Sequence, residues 1–177
     1  MIFCILGAIL TCSCYNVVEY DYDNIGLYSR SWHYDEFVNI EIGGPHQPYA
    51  GNPALLIKMS DGTILNLATA TVDEIRGKCP SIQDWSGNAC SDFSTRQRPP
   101  NGTRWPEGTI HMQDYTRQFY VLSNQVIAAR ISWDANPWPK PEVGNPNTGE
   151  MFSFPLSKST VVSLFGKPTN VLHHCWE

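Results

Sequence analysis

The side chains that could do chemistry in this chain are five histidines, six cysteines and seventeen carboxylates among 177 residues. A serine or cysteine nucleophile needs a base beside it and a group that orients the base. The sequence has no Gly-x-Ser-x-Gly elbow, phosphate-cradling glycine loop, His-Glu-x-x-His helix or calcium loop. Paired carboxylates could cleave a glycosidic bond, and Asp35, Glu36, Asp73, Glu74, Asp84, Asp92, Glu107 and Asp114 are the candidates. One sequence does not pair them. His111 alternates with Ile110 and Met112, so it is predicted to face solvent or a cleft as a candidate base. In His173-His174-Cys175 adjacent side chains on a strand diverge, so at most His173 and Cys175 converge, too few for a zinc site. The reading therefore carries no metal, no cofactor and no catalytic residue, and favours a binding protein over an enzyme.

Cys79 and Cys90 bracket a polar, turn-rich segment with no apolar period to hold it down. A local disulfide between them is the economical expectation, stabilising by roughly 3 kcal/mol for so short a loop. Cys175 is then left over, to be free, paired with Cys14 or shared with a partner chain. Trp85, Trp105 and Trp138 lie in Pro- and Gly-rich stretches. Loop tryptophans either pin a loop to its domain or stack on a sugar or anchor a protein interface, and these three are the candidate binding residues.

Residues Ile2 to Leu10 are apolar or small, and no charge appears before Glu19. This is the pattern of a secretory h-region, although the basic residue that usually precedes it is missing. It is too short to span a membrane, which takes about 20 apolar residues. Leu10-Thr11-Cys12-Ser13-Cys14 also looks like a lipoprotein cleavage box, with Cys14 as the lipid acceptor. Lipidation at Cys14, simple cleavage and a buried N-terminal strand all stay open. Residues 1–14 are read as a leader and 15–177 as one exported domain, in the periplasm, at the outer membrane as a lipoprotein, or secreted. Membrane contact comes only through such a lipid.

Charged residues make up 16% of the chain, below the roughly 25% of ordinary soluble domains, and Gly, Pro and aromatics fill the gap. That mixture suits short strands joined by many turns. A formal charge of −5 gives no electrostatic case for a phosphate backbone, so nucleic acid is excluded as a partner. The modest cluster Arg96, Arg98 and Arg104 reads as a solvated loop.

The elements that must position these residues are mostly strands. Tyr15 to Tyr22 is a candidate first strand. Val38, Ile40 and Ile42 alternate with Asn39 and Glu41, which predicts a half-buried strand. Ala54 to Met59 and Thr63 to Leu67 form a predicted hairpin around Asp61-Gly62, and Gln118 to Leu122 and Gln125 to Trp133 another around Ser123-Asn124. On the last strand Ile127, Ala129, Ile131 and Trp133 share the predicted core face. Thr71 to Ile75 fits a helical turn or a strand. Gly77 to Gly108 and Asn136 to Thr148 read as long loops, and Met151 to Phe154 as a strand. Ser157 or Ser159 caps a short helix with Val161, Val162, Leu164 and Phe165 as its apolar face, Gly166 and Pro168 stop it, and a strand from Asn170 to Trp176 follows. The predicted class is mainly β, an antiparallel sheet or sandwich with one short C-terminal helix, with α+β as the minor alternative.

The stretch from Phe154 to Thr169, FPLSKSTVVSLFGKPT, resembles a segment of small bacterial envelope lipoproteins of the SmpA/OmlA kind, and one in periplasmic toxin-immunity proteins. It covers about a tenth of the chain and nothing upstream matches either group. The resemblance implies an envelope protein that works by binding another protein, such as an immunity-type inhibitor neutralising a toxin. The alternative is a secreted carbohydrate-binding or carbohydrate-cleaving β-domain, for which a glycan replaces the protein partner.

Overall fold

The computed structural model describes residues 15–22, 27–33, 36–43, 55–79, 82–85, 106–133 and 139–176. The fold is mainly β and antiparallel, as the turn-rich composition predicts. Strands β1 (Tyr15–Tyr22), β2 (Leu27–His33), β3 (Glu36–Gly43), β6 (Gln83–Trp85), β7 (Ile110–Gln113), β8 (Arg117–Leu122), β9 (Gln125–Ser132) and β13 (Asn170–Trp176) form one large sheet in the order β13-β1-β2-β3-β9-β8-β7-β6. The two-residue strand β12 (Leu156–Ser157) adds to it by pairing with Phe37 and Glu36 at the start of β3. Strands β4 (Leu56–Lys58), β5 (Ile64–Asn66), β10 (Glu142–Gly144) and β11 (Met151–Ser153) form a smaller sheet in the order β11-β10-β4-β5.

Both sheets bury their apolar side chains in one core. Ile40, Ile42, Met112, Phe119, Ala129 and Ile131 come from the large sheet, and Ile57, Leu65 and Val143 from the small one. The two predicted hairpins form where their turn residues place them. Gly62 adopts φ +85°, and Ser123 and Asn124 have φ of 49° and 64°, the left-handed pair of a two-residue hairpin turn. Asn124 also reaches out of its turn, its Oδ1 accepting the Val72 amide at 3.1 Å.

Two β-bulges reset the predicted faces. Opposite β2 the register steps from Asn39 to Phe37, so Val38 is the extra residue. Phe37 turns into the core beside Ile40, and Val38 is only half-buried. Opposite β8 the register steps from Ala128 to Val126, leaving Ile127 as the extra residue. Val126 therefore joins Ala129 and Ile131 in the core, while Ile127, predicted to be there, packs with Tyr120 and Ala128 in a second cluster. A bulge inserts one residue on one strand only, so side chains beyond it change faces.

Among the described residues there are two helices where one was predicted. Thr71 to Ile75, undecided in sequence, is a helix: α1 (Val72–Lys78) starts at a capping box in which Thr71 Oγ1 accepts the Glu74 amide and Glu74 Oε2 accepts the Thr71 amide. Val72 and Ile75 anchor it in the core. The C-terminal helix α2 (Lys158–Phe165) starts as predicted, with Ser157 Oγ accepting the Thr160 amide at 3.1 Å, and ends at Gly166, φ +83°. Val161 is its buried residue, whereas Val162, placed on the same face in the sequence reading, is 37% exposed. Strands β6 and β10 emerge from stretches read as loops.

Tyr22 ties β1 to the end of α2, its hydroxyl donating to the Gly166 carbonyl at 3.0 Å. Burial, with a smaller contribution from Tyr20, pushes its pKa from 10.0 up to about 12. The unfolded chain ionises this phenol first, so its contribution to stability is complete below pH 10 and is lost as pH rises from about 10 to 12. Chemical denaturation across that range, read against Tyr22→Phe, checks the sign. The wild type is expected to lose stability more steeply with pH than the variant, and parallel curves would contradict the assignment.

Candidate functional site

The turn that joins β7 to β8 is built around one carboxylate. Asp114 Oδ1 accepts the amides of Thr116 at 2.9 Å and Arg117 at 2.8 Å, the local bonding by which aspartate replaces a backbone turn. Its other oxygen, Oδ2, accepts from Arg117 Nη1 and from the Cys79 thiol, the latter at 3.3 Å. Ser60, in the β4–β5 turn, donates to Cys79 Sγ at 3.2 Å. The Arg117 and Asp114 side chains are 9% and 5% exposed. A hydrogen-bond chain thus runs from Ser60 through Cys79, at the end of α1, to Asp114 and Arg117. It connects the small sheet to the large one.

A cleft of about 460 Å³ opens over this joint. Lys58, Met59 and Ser60 line one side, Asp114 to Arg117 the floor and second side, and Pro139, Lys140 and Glu142 the third. Lys58 Nζ donates to Glu142 Oε1 at 2.7 Å across the β4–β10 pair. Lys140 lies between Pro139 and Pro141, which hold the segment extended, and its ammonium sits 4.7 Å from the centre of the Trp133 ring. Tyr115, at the tip of the aspartate turn, is 69% exposed on the rim. The cleft offers charge of both signs, hydroxyls and one aromatic ring, the chemistry of a binding surface.

The face of the large sheet turned from the core carries a second polar array. Backbone register aligns Glu41, Arg130, Gln118 and Gln113 across four strands. Glu41 is 2% exposed, accepts from Asn39 Nδ2 at 3.1 Å and has Arg130 Nε at 3.7 Å. His111, predicted to face solvent or a cleft, is 4% exposed and stacks on Tyr120 at 4.4 Å with the rings 7° apart. Its register neighbours on that face, Tyr120 on β8 and Ala128 on β9, are buried with it, which alternation within β7 alone cannot reveal.

Of the residues singled out in the sequence, Trp85 lies on β6, its backbone opposite His111. Trp105, Trp138, Cys14, Cys90, Asp35, Asp92 and the arginines at 96, 98 and 104 lie outside the described residues. Cys79 is fully buried, with the Ser60 hydroxyl and the Asp114 carboxylate within hydrogen-bond distance of its sulfur; Cys90, its expected disulfide partner, lies outside the described residues. Glu36, Asp73, Glu74 and Glu107 are exposed and are not brought together. His173 is exposed on β13. Among the described residues no group of three or more His, Cys, Asp or Glu could hold a metal ion. Among the described residues Asp114 alone of the candidate carboxylates lines the cleft; Lys58, Arg117, Lys140 and Glu142 were not singled out. The local signal for Arg117 was present, an aspartate three residues before it in a turn, but its burial was not readable. No family model matches the chain, and comparison with curated proteins and solved structures finds no match.

Replacing Asp114 with asparagine keeps the acceptor of the turn but leaves the Arg117 charge buried without its counter-ion. Asp114→Asn is expected to cost about 3 kcal/mol in urea denaturation. Adding Arg117→Met to that variant removes the stranded charge and should recover a good part of the loss. A single variant as stable as the wild type would contradict the role given to this pair.

Proposed function

We propose that this chain is an exported binding protein that receives a segment of another protein in the cleft between its two sheets, in the manner of an immunity-type inhibitor that neutralises a toxin by occupying it. The observation that carries this reading is Tyr115, 69% exposed on the rim of a cleft whose floor is fixed by the buried Asp114–Arg117 pair. An exposed tyrosine on a rigid turn brings large contact area with little conformational entropy to lose, and tyrosine is enriched among interface hot spots. Two further features of the sequence support the reading: the apolar Ile2 to Leu10 for export, and the Phe154 to Thr169 segment for an envelope binding role. A glycan partner is the second reading, favoured by the same exposed ring, because tyrosine stacks on sugar faces as well.

The test is capture on the immobilised full chain from an extract of the source organism, compared with Tyr115→Ala. Since the side chain is exposed, the substitution is expected to change stability by less than about 0.5 kcal/mol. One stoichiometric protein, lost or weakened at least about tenfold in the variant, is the expected outcome. Equal capture by both proteins would remove the cleft from the interface. Retention of a glycan from a defined panel, with no protein captured, would establish the second reading instead.

A further inference from the structure

The cleft is unevenly satisfied. The two carboxylates among its described lining residues are both engaged within the fold: Asp114 accepts from two amides, Arg117 Nη1 and Cys79 Sγ, and Glu142 accepts from Lys58. Asp61, in the turn beside Ser60 and Gly62, is likewise occupied by the Thr63 hydroxyl at 2.7 Å and the Thr63 amide at 2.9 Å. The donors are not used up. Arg117 is 8% exposed and lines the cleft, and its Nε has no hydrogen-bond acceptor. Lys140 has no carboxylate partner among the described residues; its ammonium is held only against the face of Trp133. With Lys58, Arg117 and Lys140 against Asp114 and Glu142, the described lining carries more positive than negative charge, which favours an anionic occupant.

Lys140 is also held in place. A surface lysine loses rotamer entropy when it closes on a partner, but here the neighbouring prolines fix the backbone and the Trp133 ring holds the ammonium. Little of that entropy remains to be lost on binding.

We infer that the occupant of the cleft is an acidic segment of the partner protein, a Glu or Asp side chain of which is received between Lys140 and Arg117 while Tyr115 packs against the residues beside it. This rests on the protein-binding reading above and adds the charge of the partner. The rest of the chain argues for a local rather than a general attraction, because a protein of formal charge −5 repels an acidic partner except where cations gather.

The experiment titrates acetyl-tetraglutamate-amide into the full chain, with acetyl-tetraglutamine-amide and inorganic phosphate as the comparison arms, and follows backbone and side-chain NMR shifts. The glutamate peptide is expected to shift the signals of Lys58, Tyr115 to Arg117 and Lys140, with the shifts suppressed by added salt. Lys140→Glu, a change at an exposed position, should weaken that binding by about tenfold or more. No shift at these residues, equal response to the glutamine peptide, equal response to phosphate, or an unchanged affinity in Lys140→Glu would each overturn the inference. The same variant in the capture experiment separates the two readings. If Tyr115→Ala abolishes capture while Lys140→Glu leaves it intact, the cleft binds protein but not through an acid; if neither variant affects capture, the cleft itself is not the interface.

Discussion

The buried Asp114–Arg117 pair is the centre of the hydrogen-bond chain that runs between the two sheets. Both side chains are more than nine-tenths buried, and a charge in that position is tolerated only if its partners stay in place. Asp114 also sets the β7–β8 turn through two amides, and Cys79 and Ser60 extend the network to the end of α1 and to the β4–β5 turn. Losing either charge leaves the other buried with unmet bonding, and the network ties together three segments distant in sequence. The cleft is the surface of this unit, which makes its geometry a property of the folded core rather than of mobile side chains.

Parts of both sheets were readable where their turns announce themselves. Asp61-Gly62 and Ser123-Asn124 mark hairpins by the backbone conformation they permit, and Ser157 and Gly166 mark the ends of α2. The faces were less readable. Val38 and Ile127 are each the extra residue of a bulge, and a bulge leaves no mark in a period-two pattern, so the phase of the core residues changed without warning. The helix at Val72 could have been found from Thr71 and Glu74, spaced as a capping box, had that signature been weighed against the short apolar pattern. The site was barely legible. Asp114 and Arg117 are neighbours in sequence, but Ser60 and Cys79 reach them only through the packing of the sheets, and nothing in Pro139-Lys140-Pro141 announces the ring of Trp133 beneath the lysine.

The two faces of the large sheet divide the roles of stability and specificity. One contributes Ile40, Phe119 and Ile131 to the shared core. The other carries Glu41, Asn39, Arg130 and the stacked His111 and Tyr120, groups whose burial costs free energy unless each is oriented. Such an array disfavours register slips, because a shift by one residue would put Glu41 into the apolar core. The same constraint that fixes the strands fixes the turn at their end, and with it Tyr115.

The central claim is that the floor of the cleft is part of the cooperative core. Native-state hydrogen exchange of the Thr116 and Arg117 amides, both bonded to Asp114 Oδ1, tests it most directly. The account predicts that these two amides exchange only through global unfolding, with the same free energy as the central amides of β8 and β9. Exchange by a low-energy local opening, several kcal/mol below the global value, would show a turn that moves independently of the core and would contradict a preformed cleft.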